Sequence, residues 1–196
     1  AQLILDEFTL KEIKSNNGYW ANKYGYQIGC KYYDFLSITN LTFQLERNHV
    51  RPYTYSHWNN ANYGHYNEEL AHPLGANFSE NILILHYRKG RLEIQLKYLD
   101  IIYGADYIGD TVSYGNNIYS DYNNRSSDFG IDMFNGNKTN IDYMQLNLGY
   151  IINPSTNLKI DFSLVSRNLS SEVHNYKTLF YSIALKSDLF NHYYDF

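Results

Sequence analysis

The chain has few of the residues that cross-link or interrupt a fold, and it lacks long apolar runs. Its 196 residues include one cysteine, Cys30, and three prolines, so an internal disulfide is excluded. No window approaches the ~18 uninterrupted apolar residues of a membrane helix. No basic stretch occurs in this chain of net charge -4, and phosphate neutralisation needs clustered Lys and Arg. We therefore expect neither a membrane helix nor a nucleic-acid partner.

Tyrosine is abundant, with 22 residues, and apolar side chains alternate with polar ones along much of the chain. Between Leu92 and Tyr98 the apolar residues alternate with Glu93, Gln95 and Lys97, which places them on one face of a strand. The same pattern predicts about eight strands, near residues 2–9, 24–34, 39–47, 81–88, 91–102, 141–152, 158–168 and 177–188. Several are about as long as the ~9–11 residues that cross a bilayer at a tilt.

The connections between these strands favour lipid over water as the solvent of the apolar face. Short connections are predicted at 35–38, 89–90 and 153–157, and longer ones at 10–23, 48–80, 104–140 and 168–176. Such alternation is typical of outer-membrane barrels, and tyrosines that end apolar rows are typical of aromatic girdles. All three prolines fall in connections, where they remove no ladder hydrogen bond.

We therefore predict an all-β protein, a transmembrane antiparallel β-barrel in the bacterial outer membrane, with lipid on one face of the sheet and a polar lumen on the other. Residues 1–196 are expected to form one domain, with extracellular loops near 48–80 and 104–140. Because the chain begins without Met in a strand pattern, it is expected to be a processed product or a fragment.

The loop at 48–80 carries the densest chemistry. Its aromatic rings and amides suit a neutral or acidic polysaccharide, because a sugar ring has an apolar face and a rim of hydroxyls. The candidate polysaccharide-binding residues are Tyr53, Tyr55, His57, Trp58, Tyr63, His65 and Tyr66, together with the amides of Asn59, Asn60, Asn62 and Asn67. The alternative is that these aromatics pack the loop onto the barrel mouth, as long loops often do.

Metal and enzyme chemistry are weakly indicated. Possible metal ligands are His49, His57, His65, His72, Glu68 and Glu69 for zinc, and Asp106, Asp110, Asp121, Asp128 and Asp132 for calcium. The first set lacks a compact ligand spacing and the second lacks the ordered spacing of an EF-hand loop. Ser56 and Ser113 are possible nucleophiles, but the sequence spacing indicates no histidine as a general base for either. We predict no metal, no cofactor and no enzymatic activity.

The same loop resembles a known family. Residues 51–57 read Arg-Pro-Tyr-Thr-Tyr-Ser-His, residues 63–66 read Tyr-Gly-His-Tyr, and residues 71–77 read Ala-His-Pro-Leu-Gly-Ala-Asn. This combination resembles the signature of the Wzi family of capsule-assembly proteins, most closely its gliding-motility outer-membrane branch of the RemB type. The resemblance extends from Asp6-Glu7-Phe8 to the closing Tyr-Tyr-Asp-Phe. It implies a larger barrel, of which this chain would be the C-terminal portion.

The resemblance also implies a function. It suggests a surface protein that binds or organises capsular polysaccharide, with outer-membrane lipid, the rest of its barrel or other outer-membrane proteins as further partners. His72, Pro73 and Gly75 are expected to form a structural turn of the loop, because Pro presets one backbone angle and Gly permits another. The alternative function is a protein-docking component of an outer-membrane secretion or motility complex.

Overall fold

The computed structural model describes residues 1–58 and 62–187, and these form an all-β fold. The strands are β1 (Gln2–Glu7), β2 (Lys23–Tyr32), β3 (Leu41–Val50), β4 (Gly64–His65), β5 (Glu68–Glu69), β6 (Phe78–Lys89), β7 (Leu92–Ala105), β8 (Asn137–Asn153), β9 (Leu158–Ser171) and β10 (Asn175–Ser187). One short helix, α1 (Leu10–Ser15), follows β1. None of the helices in the described part of the chain is both long and apolar enough to span a membrane.

Eight of the strands form one antiparallel sheet in the order β1-β2-β3-β6-β7-β8-β9-β10. Each strand pairs with its neighbours along the chain, and only the small hairpin β4-β5 lies outside the sheet. The predicted all-β, antiparallel, eight-stranded arrangement is therefore confirmed. Within the described residues the sheet is open, with β1 and β10 as its edges.

Most of the strands are longer than alternation alone predicted, whereas β1 and β2 end earlier than predicted, at Glu7 and Tyr32. β6 begins at Phe78 rather than at residue 81, and β8 runs from Asn137 to Asn153 rather than over 141–152. The added ends carry polar residues that still pair, as Thr139 does with Tyr103. Backbone hydrogen bonding extends the ladder wherever a neighbouring strand is available. The predicted last strand reaches residue 188, which lies outside the described residues.

The connections differ in length at the two ends of the sheet. At one end they are short, at residues 33–40, 90–91 and 154–157; at the other they are 8–22, 51–77 and 106–136. The prediction of a longer connection at 168–176 is wrong. β9 and β10 continue the ladder to the pair Ser170 and Asn175, leaving only Glu172–His174 between the strands.

The apolar rows of neighbouring strands align across the sheet and form one apolar band on what we call the outer face. Successive pairs at one level are Tyr32 with Phe43, Phe43 with Leu85, Leu85 with Leu96, Leu96 with Leu146, Leu146 with Leu164, and Leu164 with Tyr181. Many of these side chains are open, including Tyr181 at 72% and Ile183 at 77% exposure. The described chain places no second layer over this band.

Toward the long connections, the outer face changes abruptly from apolar to polar. The next level contains Arg47, Asn81, Asp100, Asp142, Asn168 and Lys177. Arg47 donates to Asn81 at 2.9 Å, and Asn81 donates to Asp100 at 3.0 Å. The Tyr98 hydroxyl, at the edge of the apolar band, donates to Asp142 at 3.0 Å. On the side of the long connections, the apolar band therefore ends at a defined boundary, and Tyr98 lies at that boundary.

The inner face is polar near the short turns and apolar near the long connections. Near the short turns it carries hydrogen-bonded polar groups, with Glu93 held by His86 at 3.0 Å and Lys159 at 2.7 Å. Near the long connections it instead carries a buried apolar cluster of Ile82, Ile84, Leu99, Ile101 and Ile141. The predicted polar inner face is therefore wrong near the long connections, where Leu74 of the loop packs on this apolar cluster.

Candidate functional site

The three long connections pack against each other at one end of the sheet. We call residues 8–22, 51–77 and 106–136 the first, second and third connections, and together the loop layer. Backbone hydrogen bonds join them, from Trp20 to Asp128 at 3.0 Å and from Tyr53 to Gly115 at 2.9 Å. The aromatic loop of the sequence is therefore the middle part of a three-segment layer.

Asn77 is the main link between the second and third connections. Its side-chain amide is fully buried and donates to the carbonyls of Gly104 and Asn135 at 2.9 Å and of Tyr114 at 3.2 Å. Its Oδ1 accepts from the Phe134 amide at 2.7 Å. Its φ is 57°, a region that Asn tolerates better than most residues. The sequence signal for Asn77 was its place in the family-like motif, and its bonding role was not foreseen.

Residues 72–75 form a tight turn that Asn116 holds from the third connection. The Gly75 amide donates to the His72 carbonyl at 2.9 Å, and Pro73 is exposed between them. The Asn116 side chain donates to the carbonyls of Leu74 and Ala76. A Cβ on Gly75 would lie 2.5 Å from the Asn116 carbonyl oxygen, and Gly75 has φ +69°. Only glycine fits this position without strain.

Tyr53 points into the loop layer rather than toward solvent. Its ring is 1% exposed and packs edge-on against Trp20. Its hydroxyl donates to the Ser113 carbonyl at 2.7 Å. Burial raises the pKa of Tyr53 well above its ordinary value, with a smaller contribution from the nearby Asp106 charge. The ring is therefore structural in this arrangement and presents no stacking face to a ligand.

Tyr55 and His57 attach the second connection to the edge strand β1. Asp6 accepts from the Tyr55 backbone amide at 3.0 Å and lies 3.0 Å from Nε2 of His57. The Tyr55 ring is 8% exposed and lies 5.8 Å from the ring of Tyr63. Burial, and then the Asp6 charge, raise the pKa of the Tyr55 hydroxyl. These two candidates therefore pack against the sheet and leave little surface for a ligand.

A buried lysine closes the same corner. Lys23 is 1% exposed, lies 3.1 Å from Glu7 and donates to the Ser56 carbonyl at 2.7 Å. Its ammonium group also faces the rings of Trp20 and Tyr122 at just over 5 Å. Cation-π contacts and a partial ion pair offset the cost of burying this charge. Strand alternation gave no signal for this role.

The remaining candidates are presented to solvent. Trp58 is 61% exposed, Tyr63 51% and Tyr66 91%. The ring of His65 lies 4.4 Å from that of Tyr66 on the hairpin β4-β5, which the Tyr119 hydroxyl supports by donating to the Glu68 carbonyl at 2.7 Å. Asn62 accepts from the His57 amide, and Asn67 is exposed. Asn59 and Asn60 lie outside the described residues.

The acidic residues of the third connection hold local structure. Asp106 accepts from the Tyr114 amide at 2.7 Å, Asp121 caps a short 3-10 turn, and Asp128 pairs with Arg125. Across residues 1–58 and 62–187, no group of three or more His, Cys, Asp or Glu side chains is arranged to hold a metal ion.

A cavity of about 440 Å³ lies between residues 2–4 of β1, residues 25–27 of β2, the end of β3 and the second connection. Its wall includes Gln27 and Asn48 of the sheet, and Tyr55, Tyr63 and His72 of the second connection. Behind the wall, Glu80 accepts from Asn48 and faces His72, each at 3.0 Å. The sequence gave no indication that these residues meet.

Comparison of the chain with protein-family models, curated proteins and solved structures found no match.

Proposed function

We propose that this chain is part of a non-enzymatic outer-membrane β-barrel whose loop layer binds surface polysaccharide, and that it belongs to the gliding-motility branch of the Wzi family. The observation that carries the membrane part of the proposal is the exposed apolar band with its sharp polar boundary. The observation that carries the binding part is the exposure of three aromatic side chains of the second connection, Trp58, Tyr63 and Tyr66, which we call the exposed aromatic group.

The dimensions of the band support a lipid environment. From Leu92 to Tyr98 the apolar row covers six residue steps of β7, or ~20 Å at about 3.4 Å per residue. At the ~40° tilt of outer-membrane strands, this row spans ~16 Å of the ~25 Å apolar band of such barrels. β7, β8 and β9 have 14, 17 and 14 residues, far above the ~5–6 usual in soluble sheets. A tyrosine at the polar boundary fits an interfacial aromatic girdle.

The two open edges support the idea of a larger or joined barrel. In lipid, backbone groups of an edge strand have no water to satisfy them, so every edge must be paired. β10 is exposed on both faces, with Phe180 55% and Tyr181 72% exposed. We propose that β1 and β10 pair in the membrane with each other, with further strands of the same barrel, or with a neighbouring outer-membrane protein.

The exposed aromatic group supports carbohydrate binding. Trp58 and Tyr66 offer rigid flat surfaces that stack on sugar rings at low entropic cost. The layer beneath them is fixed by Asn77 and Asn116, so the aromatic side chains stand on an ordered base. Such pre-organisation reduces the ordering cost of binding.

The test replaces Trp58 and Tyr66 together by Ala in cells that display capsular or slime polysaccharide. Retained polysaccharide should fall several-fold, while heat-modifiable migration on a gel should stay normal. Tyr33→Ala is the matched control, because Tyr33 is 64% exposed but lies at the short-turn end of the sheet. Undiminished retention in a normally assembled double variant would refute the binding role.

A second candidate is a protein-docking role in a secretion or motility complex. It is favoured by the aliphatic side chains exposed on the loop layer, Ile108 at 97% and Leu70 at 57%, which suit protein contact better than sugar contact. Replacing both by Ser should release a stoichiometric partner in pull-down. Enzymatic removal of surface polysaccharide should leave that partner bound, whereas loss of the partner on glycan removal would count against docking.

A further inference from the structure

The cavity of about 440 Å³ under the second connection has the size of a small-molecule site, since such sites span ~300–1,000 Å³. Resting on the proposed polysaccharide function, we infer that this cavity binds one neutral sugar unit of the hexose type and discriminates against acidic sugars. The inference depends on the wall of the cavity, to which Tyr63 belongs, and not on the exposed side chains of Trp58 and Tyr66, which are not among its lining residues.

The amides of the wall have already used their donors. Nε2 of Gln27 donates to Glu46 at 2.6 Å, and Nδ2 of Asn48 donates to Glu46 at 3.1 Å and to Glu80 at 3.0 Å. The carbonyl oxygens of the two amides accept no hydrogen bond from the described residues. They are acceptors, so the complementary ligand group is a donor such as a hydroxyl.

Both ring nitrogens of His72 are engaged within the protein. Its Nδ1 accepts from the Leu74 amide at 3.2 Å, and its Nε2 lies 3.0 Å from the Glu80 carboxylate. The ring also stacks on Phe78 with centroids 4.4 Å apart, which fixes its orientation. His72 therefore adds shape to the wall rather than a hydrogen-bond donor for a ligand.

Glu80 lies behind the wall and helps to hold it. It is fully buried and is not itself a lining residue. Its carboxylate accepts from Asn48 and lies 3.0 Å from Nε2 of His72, which fixes both side chains in the wall.

The wall also explains the selection against acidic sugars. None of its described lining residues is Lys or Arg, and the carboxylates of Glu46 and Glu80 accept from the wall amides. A uronate would therefore meet like charges without a counter-charge among these residues, which disfavours its binding relative to a neutral sugar. In the second connection, the half-exposed Tyr63 ring beside Tyr55 offers a surface for the apolar face of a sugar.

The experiment measures ligand binding to the detergent-solubilised chain by saturation-transfer NMR and intrinsic fluorescence. The probes are methyl glycosides of glucose, galactose and mannose, set against glucuronate and galacturonate. At least one neutral glycoside should bind, and neither uronate should. Binding of a uronate as tight as that of any neutral glycoside, or no neutral binding at high millimolar concentration, would overturn the inference.

Two variants and one control locate the binding. Ala71→Trp fills the mouth from an exposed wall position and should weaken neutral binding at least tenfold, while Ser126→Trp, on the exposed surface of the third connection, should not change it. Gln27→Met removes one acceptor and should weaken binding about fivefold. Unchanged affinity in Ala71→Trp would refute the cavity even if Trp58 and Tyr66 govern retention on cells. If the double variant of Trp58 and Tyr66 retains polysaccharide normally while the cavity still binds a neutral glycoside, the role of the exposed aromatic group would be refuted instead.

Discussion

Replacing Asn77 by Ala tests whether one buried amide holds the loop layer together. The two N–H groups of its side chain face three carbonyls, and its Oδ1 accepts from the Phe134 amide. Two donors and one acceptor make about three full hydrogen bonds, so at roughly 1 kcal/mol net for each bond the loss is about 3 kcal/mol. Forcing Ala to φ 57° adds ~1 kcal/mol. We therefore expect the free energy of unfolding to fall by about 4 kcal/mol.

The matched control is Asn67→Ala. Asn67 lies in the same connection, also has a positive φ, 62°, and is exposed. It should lose only the backbone part, ~1 kcal/mol. The assay is urea unfolding of the detergent-refolded chain, followed by fluorescence, with the rate of protease cleavage within residues 106–136 as a local readout. Equal destabilisation by the two variants would refute the assignment of Asn77 as the link.

An isosteric variant separates hydrogen bonding from shape. Asn77→Asp retains an acceptor for the Phe134 amide but replaces the NH₂ donor with an oxygen that faces three carbonyls. We expect it to destabilise the layer at least as much as Asn77→Ala at neutral pH, because buried acceptors would repel one another. Wild-type protease resistance in Asn77→Asp would show that side-chain volume alone holds this position.

Two further predictions concern the turn and the outer face. Gly75→Ala should lower the free energy of unfolding by more than ~2 kcal/mol, because it combines a positive φ with a Cβ 2.5 Å from the Asn116 carbonyl oxygen. The control Gly90→Ala, with φ +59° and no atom near its Cβ, should lower it by only ~1 kcal/mol. Equal losses would show that the structure relieves the contact at Gly75. Leu96→Lys, on the outer face, should lower the free energy of folding into lipid vesicles by about 2–4 kcal/mol if that face contacts lipid. The adjacent Gln95→Lys, on the inner face, should fold nearly normally. The reverse result would show that the inner face, not the outer face, contacts lipid.

Much of the sheet could be predicted because its pattern is local. Strict alternation with polar residues is seen at Leu92, Ile94, Leu96 and Tyr98. A period of two matches a β-strand and does not match a helix. The strand ends were less accessible: Asn137 and Thr139 carry no apolar signal and pair only because β7 lies beside them. The tight turn at 172–174 was missed for the same reason, since polar residues of β9 and β10 continue the ladder.

Within the aromatic loop, residue type did not distinguish packing from exposure. Tyr53 and Tyr66 are both tyrosines of the second connection with positive φ, yet one is 1% and the other 91% exposed. The difference arises from Ser113 and Gly115, which lie about sixty residues away in sequence and surround the Tyr53 ring. No local pattern contains that information.

The sequence by itself determined the strands, their antiparallel order and the apolar row that each contributes, because these depend on residue spacing within one strand and on short connections. Only the tertiary structure decided which side chains contact each other: the burial of Tyr53, the hydrogen bonds of Asn77, and the meeting of Gln27, Asn48 and His72 around one cavity. These contacts join segments that are far apart in the chain, so their geometry exists only once the sheet has set its register.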